Sequence, residues 1–258
     1  MTKYFFLGSL FPPLKITSKL TLFFQDILEI VSLNMTHCDL KKLSSIRQYI
    51  DIKNVYHFLK KQPLDSRGHY NKEEIEEALL NREGFPHYLF VYFDEYETIT
   101  EQQRYFSKVL IQFFREMEKN RNGFLKFYFN FEREWRLILA GKRAKELGID
   151  LAQELQHEDL ADPFVAQIIS QRDSSSFAFP YGYEDLGERL QRAWGNPKEE
   201  YEAMAAFRFE KITEKIQDSP FSIDYILGYC IQLMILEDWS SLNEAEGKQR
   251  TTKIIGNI

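Results

Sequence analysis

Two acidic stretches carry the residue types that general acid–base chemistry uses: Asp94-Glu95-Tyr96-Glu97 and the run from Glu154 to Asp162. Carboxylates do such work when a pocket pushes their proton affinities apart; without one they are solvated surface, which is the reading expected of both stretches. His37, His57, His69, His87 and His157 are scattered, and His37 beside Cys38 does not by itself make a metal site. Ser174-Ser175-Ser176 has no recognisable nucleophile context. Gly123, Gly141 and Gly148 are isolated and no Gly-Lys-Ser/Thr sequence occurs, which argues against a phosphate-cradling loop and against ATP hydrolysis by this chain alone. The expectation is therefore a non-enzyme with no catalytic, cofactor or metal site. What remains is a basic cluster, Arg136, Lys142, Arg143 and Lys145, whose charge suits acidic residues of a partner.

Those four cations lie on the stretch around which the chain is organised. Between Phe124 and Gly148, helical spacing puts Phe124, Tyr128, Phe131, Trp135 and Ile138 on one face. Ala140, Gly141 and Ala144 then put small residues where another helix can approach closely. Gly148 is placed to end the helix in a left-handed cap, with cations in the final turns complementing its dipole.

The rest of the chain reads as further helices. Phe23, Phe24, Ile27, Leu28, Ile30 and Val31 recur at helical spacing; Thr36 or Asp39 caps a helix through Leu40, Leu43, Ile46 and Ile50; and a separate short helix carries Val55, Phe58 and Leu59. Asn71 caps a charged surface helix from Lys72 to Arg82. Residues 85–96 are compatible with a strand or a buried helix. Thr100 with Gln103 has the capping-box pattern for a helix that ends near Asn120 and forms a hairpin with the central one. Asp150, Asp162-Pro163, Asn196-Pro197 and Ser219-Pro220 mark later helix starts. The last helix weakens at Asn243 and ends at Gly247, with a tail that either frays or docks by its isoleucines. The predicted fold is all-α: antiparallel helical hairpins in a bundle-like array, one domain over 1–258 with 15–150 and 151–258 as candidate sub-repeats. The repeat rests on Glu134-Trp135 followed by Gly141-Lys142, and Asp238-Trp239 followed by Gly247-Lys248.

Composition narrows the function classes. With 258 residues, 15% aromatic and 28% charged, the chain can bury a core beneath a solvated surface. A net charge of -6 argues against a general nucleic-acid binder. Cys38 and Cys230 lack paired-thiol spacing and fit a reducing compartment. The opening run Tyr4 to Phe11 is interrupted by Gly8 and Ser9 and stopped by Pro12-Pro13, which predicts a buried opening segment and not a signal peptide. No stretch has the apolar length of a membrane span.

Phe131-Glu-Arg-Glu-Trp-Arg-Leu-Ile-Leu-Ala-Gly-Lys-Arg-Ala-Lys-Glu-Leu-Gly148 resembles a helix of the C subunit of V/A-type rotary ATPases, the eukaryotic d subunit, with Trp135 where that pattern has asparagine. Pro220 through Trp239 resembles the closing helix of the same family. The opening Tyr4-Phe-Phe-Leu-Gly-Ser-Leu-Phe-Pro-Pro-Leu14 is similar to an uncharacterised bacterial family associated with V-type ATPase operons. The resemblance implies a non-catalytic, cytoplasmic component peripheral to the inner face of the membrane. It would connect the central shaft, or central stalk, to the membrane ring of an ion- or proton-translocating ATPase, with the shaft and ring subunits as its partners. The alternative is a soluble helical adaptor unrelated to ATPases. A helical enzyme would instead need a pocket that perturbs the residues of 94–97 or 174–183.

Overall fold

Short polar residues at helix starts dictate much of the architecture. In the computed structural model, which describes residues 3–16, 20–120 and 123–255 and the side chains among them except at 120 and 242–255, the described residues form helices and contain no strand. The helices are α1 (Phe5–Leu10), α2 (Phe24–Asn34), α3 (His37–Leu59), α4 (Lys72–Asn81), α5 (His87–Glu95), α6 (Ile99–Arg104), α7 (Ser107–Asn120), α8 (Gly123–Leu147), α9 (Leu151–Glu154), α10 (Pro163–Ile169), α11 (Glu184–Arg192), α12 (Pro197–Ile216) and α13 (Ile223–Ile255). The fold class is all-α. The chain divides into two compact units, one built from 1–40 with 181–258 and the other from 41–180.

Several starts fall where the sequence places them. Asn71 accepts the Glu74 amide, Asp150 that of Ala152, Asp162 those of Phe164 and Val165, and Asn196 those of Lys198 and Glu199. Gly148 has φ +68°, the left-handed conformation expected after α8. Residues 87–95 resolve the helix-or-strand ambiguity as helix, with Leu89, Phe90 and Tyr92 inward.

Four boundaries differ from expectation. The two helices anticipated between residues 36 and 59 are one, because nothing between Ile50 and Val55 breaks a helix and buried Asp51 and Asn54 find partners in the following turn. The capping box near residue 100 is Thr98 with Glu101 instead of Thr100 with Gln103, and the helix it opens stops at Arg104 before α7 begins. The last helix starts after Ser222, whose hydroxyl accepts the Tyr225 amide at 3.1 Å, and not at Ser219-Pro220. It also runs through Gly247 to Ile255. The side chains at Gly247-Lys248 and in the isoleucine tail lie outside the described residues.

The first unit is centred on the α12–α13 hairpin. Gly228 of α13 lets Ile216 approach so closely that a Cβ there would lie 2.5 Å from its Cγ2, and Gln232 donates to Thr213 Oγ1 at 2.6 Å. The opening segment packs onto it: the Tyr4 amide donates to the Phe221 carbonyl at 2.8 Å, and Phe11 stacks on Tyr229 with ring centres 4.7 Å apart. Tyr4, Leu7 and Phe11 are buried, as a buried opening segment requires, but Phe5 and Phe6 are 57% and 61% exposed.

The second unit gathers on α7 and α8. Tyr49 of α3 meets Phe113, Phe114 and Phe129 with ring centres 5.3, 5.4 and 6.4 Å apart. Further along α8, Leu137 and Ala144 form a second cluster with Leu151, Leu155, Val165 and Ile168. Gly141 sits at its closest approach, beneath Ile168 and Phe177, which gives the small-residue stretch of α8 a packing role.

Candidate functional site

The four sequence-predicted cations are spread over the last turns of α8, and each is engaged within the second unit. Arg136 pairs with Glu158, whose side chain is 4% exposed. Arg143 lies 3.0 Å from Glu154, Lys142 is 2.5 Å from Glu146, and Lys145 donates to the carbonyls of Arg172 and Ser174 at 2.7 Å each. With Arg133 bound to Asp162 at 2.9 Å, a pattern emerges: Arg133, Arg136 and Arg143 meet Asp162, Glu158 and Glu154 in reversed order. The acidic run Glu154 to Asp162 is thus the counter-charge of the basic helix. The other acidic stretch is held at the surface, Asp94 by Arg82 at 2.5 Å and Glu95 by Lys108 at 2.9 Å.

Of the four cations, Arg136 and Arg143 also line a cleft of about 860 Å³ in this unit. Its walls come from α3, the α6–α7 junction, α8 and the segment from Ile149 to His157. The aromatic part includes Tyr56 and Tyr105, while Lys53 and Arg104 bring further positive charge. Three buried side-chain nitrogens on this wall have no hydrogen-bond partner: Arg136 Nε, His57 Nδ1 and His157 Nε2. A buried polar atom left unpaired is costly, and all three belong to residues that line this one cleft.

Both histidines are held below the ordinary histidine range. Burial is the main cause for each, reinforced by the charge of Lys53 at His57 and of Lys108 at His157. They therefore favour the neutral form, which presents one donor and one acceptor. The His157 ring meets Tyr105 edge-on with centres 6.0 Å apart, which fixes its plane. Arg136 Nε is a donor only. The cleft can accept an oxygen-bearing group, above all a carboxylate, against Arg136 and the histidines. Among the described residues, no group of three His, Cys, Asp or Glu side chains is arranged to hold a metal ion.

His57 and His157 carried no signal in the sequence, since α3 and the segment after α9 supply them separately and no spacing rule links them. The reversed charge order of α8 and 154–162 was a usable signal. It needed the assumption that the chain folds back after Gly148.

A family model described as "Protein of unknown function (DUF2764)" matches residues 1–258. Three relatives, each named "Uncharacterized protein", span nearly the whole chain. One from Chlamydia pneumoniae is 28% identical over 265 residues, covering 100% of this chain and 98% of its own. One from Chlamydia muridarum is 26% identical over 255 residues, 96% of each. One from Chlamydia trachomatis serovar D is 25% identical over 254 residues, 95% of this chain and 96% of its own. No solved structure matches the chain. No helix among the described residues is long and apolar enough to cross a membrane.

Proposed function

The chain belongs to the DUF2764 family, and we propose that this member is a non-catalytic component of a V-type ion-translocating rotary ATPase, a C-subunit-like connector between the central shaft and the membrane ring. The observation that carries a partner-binding role is the cleft of the second unit, where Arg136 Nε, His57 Nδ1 and His157 Nε2 await hydrogen-bond partners. In this reading an acidic side chain of the shaft or ring enters the cleft and supplies the missing acceptor to Arg136. Arg143 lines the same cleft, and Lys142 and Lys145 on the same stretch of α8 add positive charge that steers an acidic surface toward this unit. The choice of a rotary ATPase rests on the resemblance of residues 131–148 and 220–239 to the C subunit, and of residues 4–14 to the bacterial family associated with V-type ATPase operons. The same reading places the protein in the cytoplasm, at the membrane through its partners alone.

Reconstitution tests the cleft directly. Arg136→Lys keeps the positive charge beside Glu158 but removes the Nε–H donor, and His157→Phe keeps the ring but removes its nitrogens. Each is expected to weaken binding of the purified shaft and ring subunits by about 1.5–3 kcal/mol, the scale of a lost hydrogen bond to a charged group. Undiminished binding by both folded variants would remove the cleft from the interface.

A further inference from the structure

Outside the cleft, three side chains of the second unit form a hydrogen-bonded relay. Ser44 Oγ lies 3.0 Å from His69 Nε2, and His69 Nδ1 lies 2.6 Å from Asp51 Oδ2. The Asp51 side chain is 2% exposed, and its other oxygen accepts the His69 amide at 2.6 Å. Ser44 and Asp51 come from α3, and His69 comes from the turn that follows it.

The sequence builds this approach step by step. Asn54 bonds both the amide and the carbonyl of Asp65 at 2.8 Å, and Arg47 donates to the carbonyls of Arg67 and Gly68 at 3.0 and 2.5 Å. Position 68 has no room for a side chain, since a Cβ there would lie 2.5 Å from Asp51 Oδ1 and 3.0 Å from Asn54 Nδ2. The turn is therefore clamped on α3 with the imidazole held between the acid and the hydroxyl.

In the neutral imidazole, Nδ1–H donates to the Asp51 carboxylate and Nε2 accepts from the Ser44 hydroxyl. This is the arrangement in which an acid orients a histidine and the histidine activates a serine. Pinning the turn would not require Ser44. Its neighbour Ser45 bonds back to the Lys41 carbonyl at 3.0 Å, as helix serines commonly do, whereas Ser44 is turned to the imidazole. Ser44 is half-buried and the His69 side chain is 28% exposed, so solvent reaches the pair. Lys41 and Arg47 lie three residues to either side of Ser44 on α3, and the Arg47 guanidinium is the one that holds the 67–68 carbonyls.

We propose that Ser44 is an activated nucleophile and that the second unit carries an acyl-transfer site for small activated esters, with His69 as general base and Asp51 as its positioning residue. Ser44 Oγ forms a bond to the ester carbonyl carbon while its proton passes to His69 Nε2. The carbon–oxygen bond to the leaving group breaks, and that proton leaves with the alcohol. Water, activated by the same imidazole, then adds to the acyl carbon and releases the carboxylic acid, restoring the Ser44 hydroxyl. The connector reading denies the chain a catalytic part in the ATPase; this ester chemistry is separate from that role and does not depend on it.

The test uses the full chain with an alkyl fluorophosphonate probe, peptide mass spectrometry to locate the label, and p-nitrophenyl acetate as ester. The native chain is expected to be labelled at Ser44, and the heat-denatured chain not. Ser44→Ala should abolish that label and lower ester hydrolysis by about a hundredfold, the scale of lost nucleophile and base action. His69→Gln should slow labelling similarly, with thermal melts confirming that both variants fold. No label at Ser44 of the folded native chain overturns the proposal, as does ester hydrolysis that survives in Ser44→Ala, which would assign the turnover to imidazole alone.

Discussion

Gly141→Ala tests the packing that holds the candidate cleft, because its two contributions have opposite signs. Alanine in a helix interior is worth about 1 kcal/mol over glycine, so at an open position the change would stabilise α8. At Gly141 the new Cβ would lie 2.7 Å from a Phe177 ring carbon and 3.0 Å from Ile168 Cγ2. The Phe177 ring can shift at its partly buried edge. Ile168 cannot easily do so, being fully buried in a cluster with Leu137 and Val165. Overpacking of this kind costs about 1–3 kcal/mol, leaving a net loss of about 1 kcal/mol after the propensity gain. For a chain of this size that is a Tm lower by about 2–4 °C, measurable by urea titration and thermal melts. Removing the ring as well, in Gly141→Ala with Phe177→Ala, should give less destabilisation than the sum of the two single changes. A Gly141→Ala chain more stable than the parent by about 1 kcal/mol would refute the close approach.

The remaining predictions concern protons and thiols. Burial holds His57 and His157 below the ordinary histidine range, so the folded chain keeps both neutral while the unfolded chain takes up protons as pH falls past about 6.5. Their contribution is therefore present above that pH and is lost as pH falls through the lower folded values. Melts between about pH 7.5 and 5.5 should show a steeper fall in Tm for the parent than for His57→Phe with His157→Phe, and equal slopes would contradict the assignment. Cys38 is exposed, whereas Cys230 is fully buried and its thiol is pushed up to about 12 by that burial. A thiol-reactive dye should modify Cys38 rapidly in the native chain and Cys230 only after denaturation. Rapid native labelling at Cys230 would show that α13 is not packed as described.

What the sequence revealed was local. Asp150, Asp162 and Asn196 announce helix starts because each side chain bonds amides two or three residues away, a contact that needs no tertiary information. Local patterns failed at Thr100, where the cap in use is Thr98 two residues earlier, and at residues 87–95, where a short apolar run does not separate helix from strand. The continuity of α3 went unread although nothing between Ile50 and Val55 breaks a helix, and the partners of Asp51 and Asn54 come from the 65–70 turn, which local spacing does not show. The cations of α8 were readable as a cluster, but their internal partners depended on the chain reversing after Gly148. Ser44, Asp51 and His69 give no motif at all, since a clamped turn brings the imidazole to the helix.

The connector role is tested most directly by affinity purification of the tagged chain from gently solubilised native membranes, with every co-purifying chain identified and quantified by mass spectrometry. The account predicts recovery of the catalytic, shaft and ring subunits of a V-type ATPase in constant ratio to the tagged chain. Their absence, under conditions where the ATPase itself stays intact, would contradict it and leave a soluble helical adaptor as the reading of this fold.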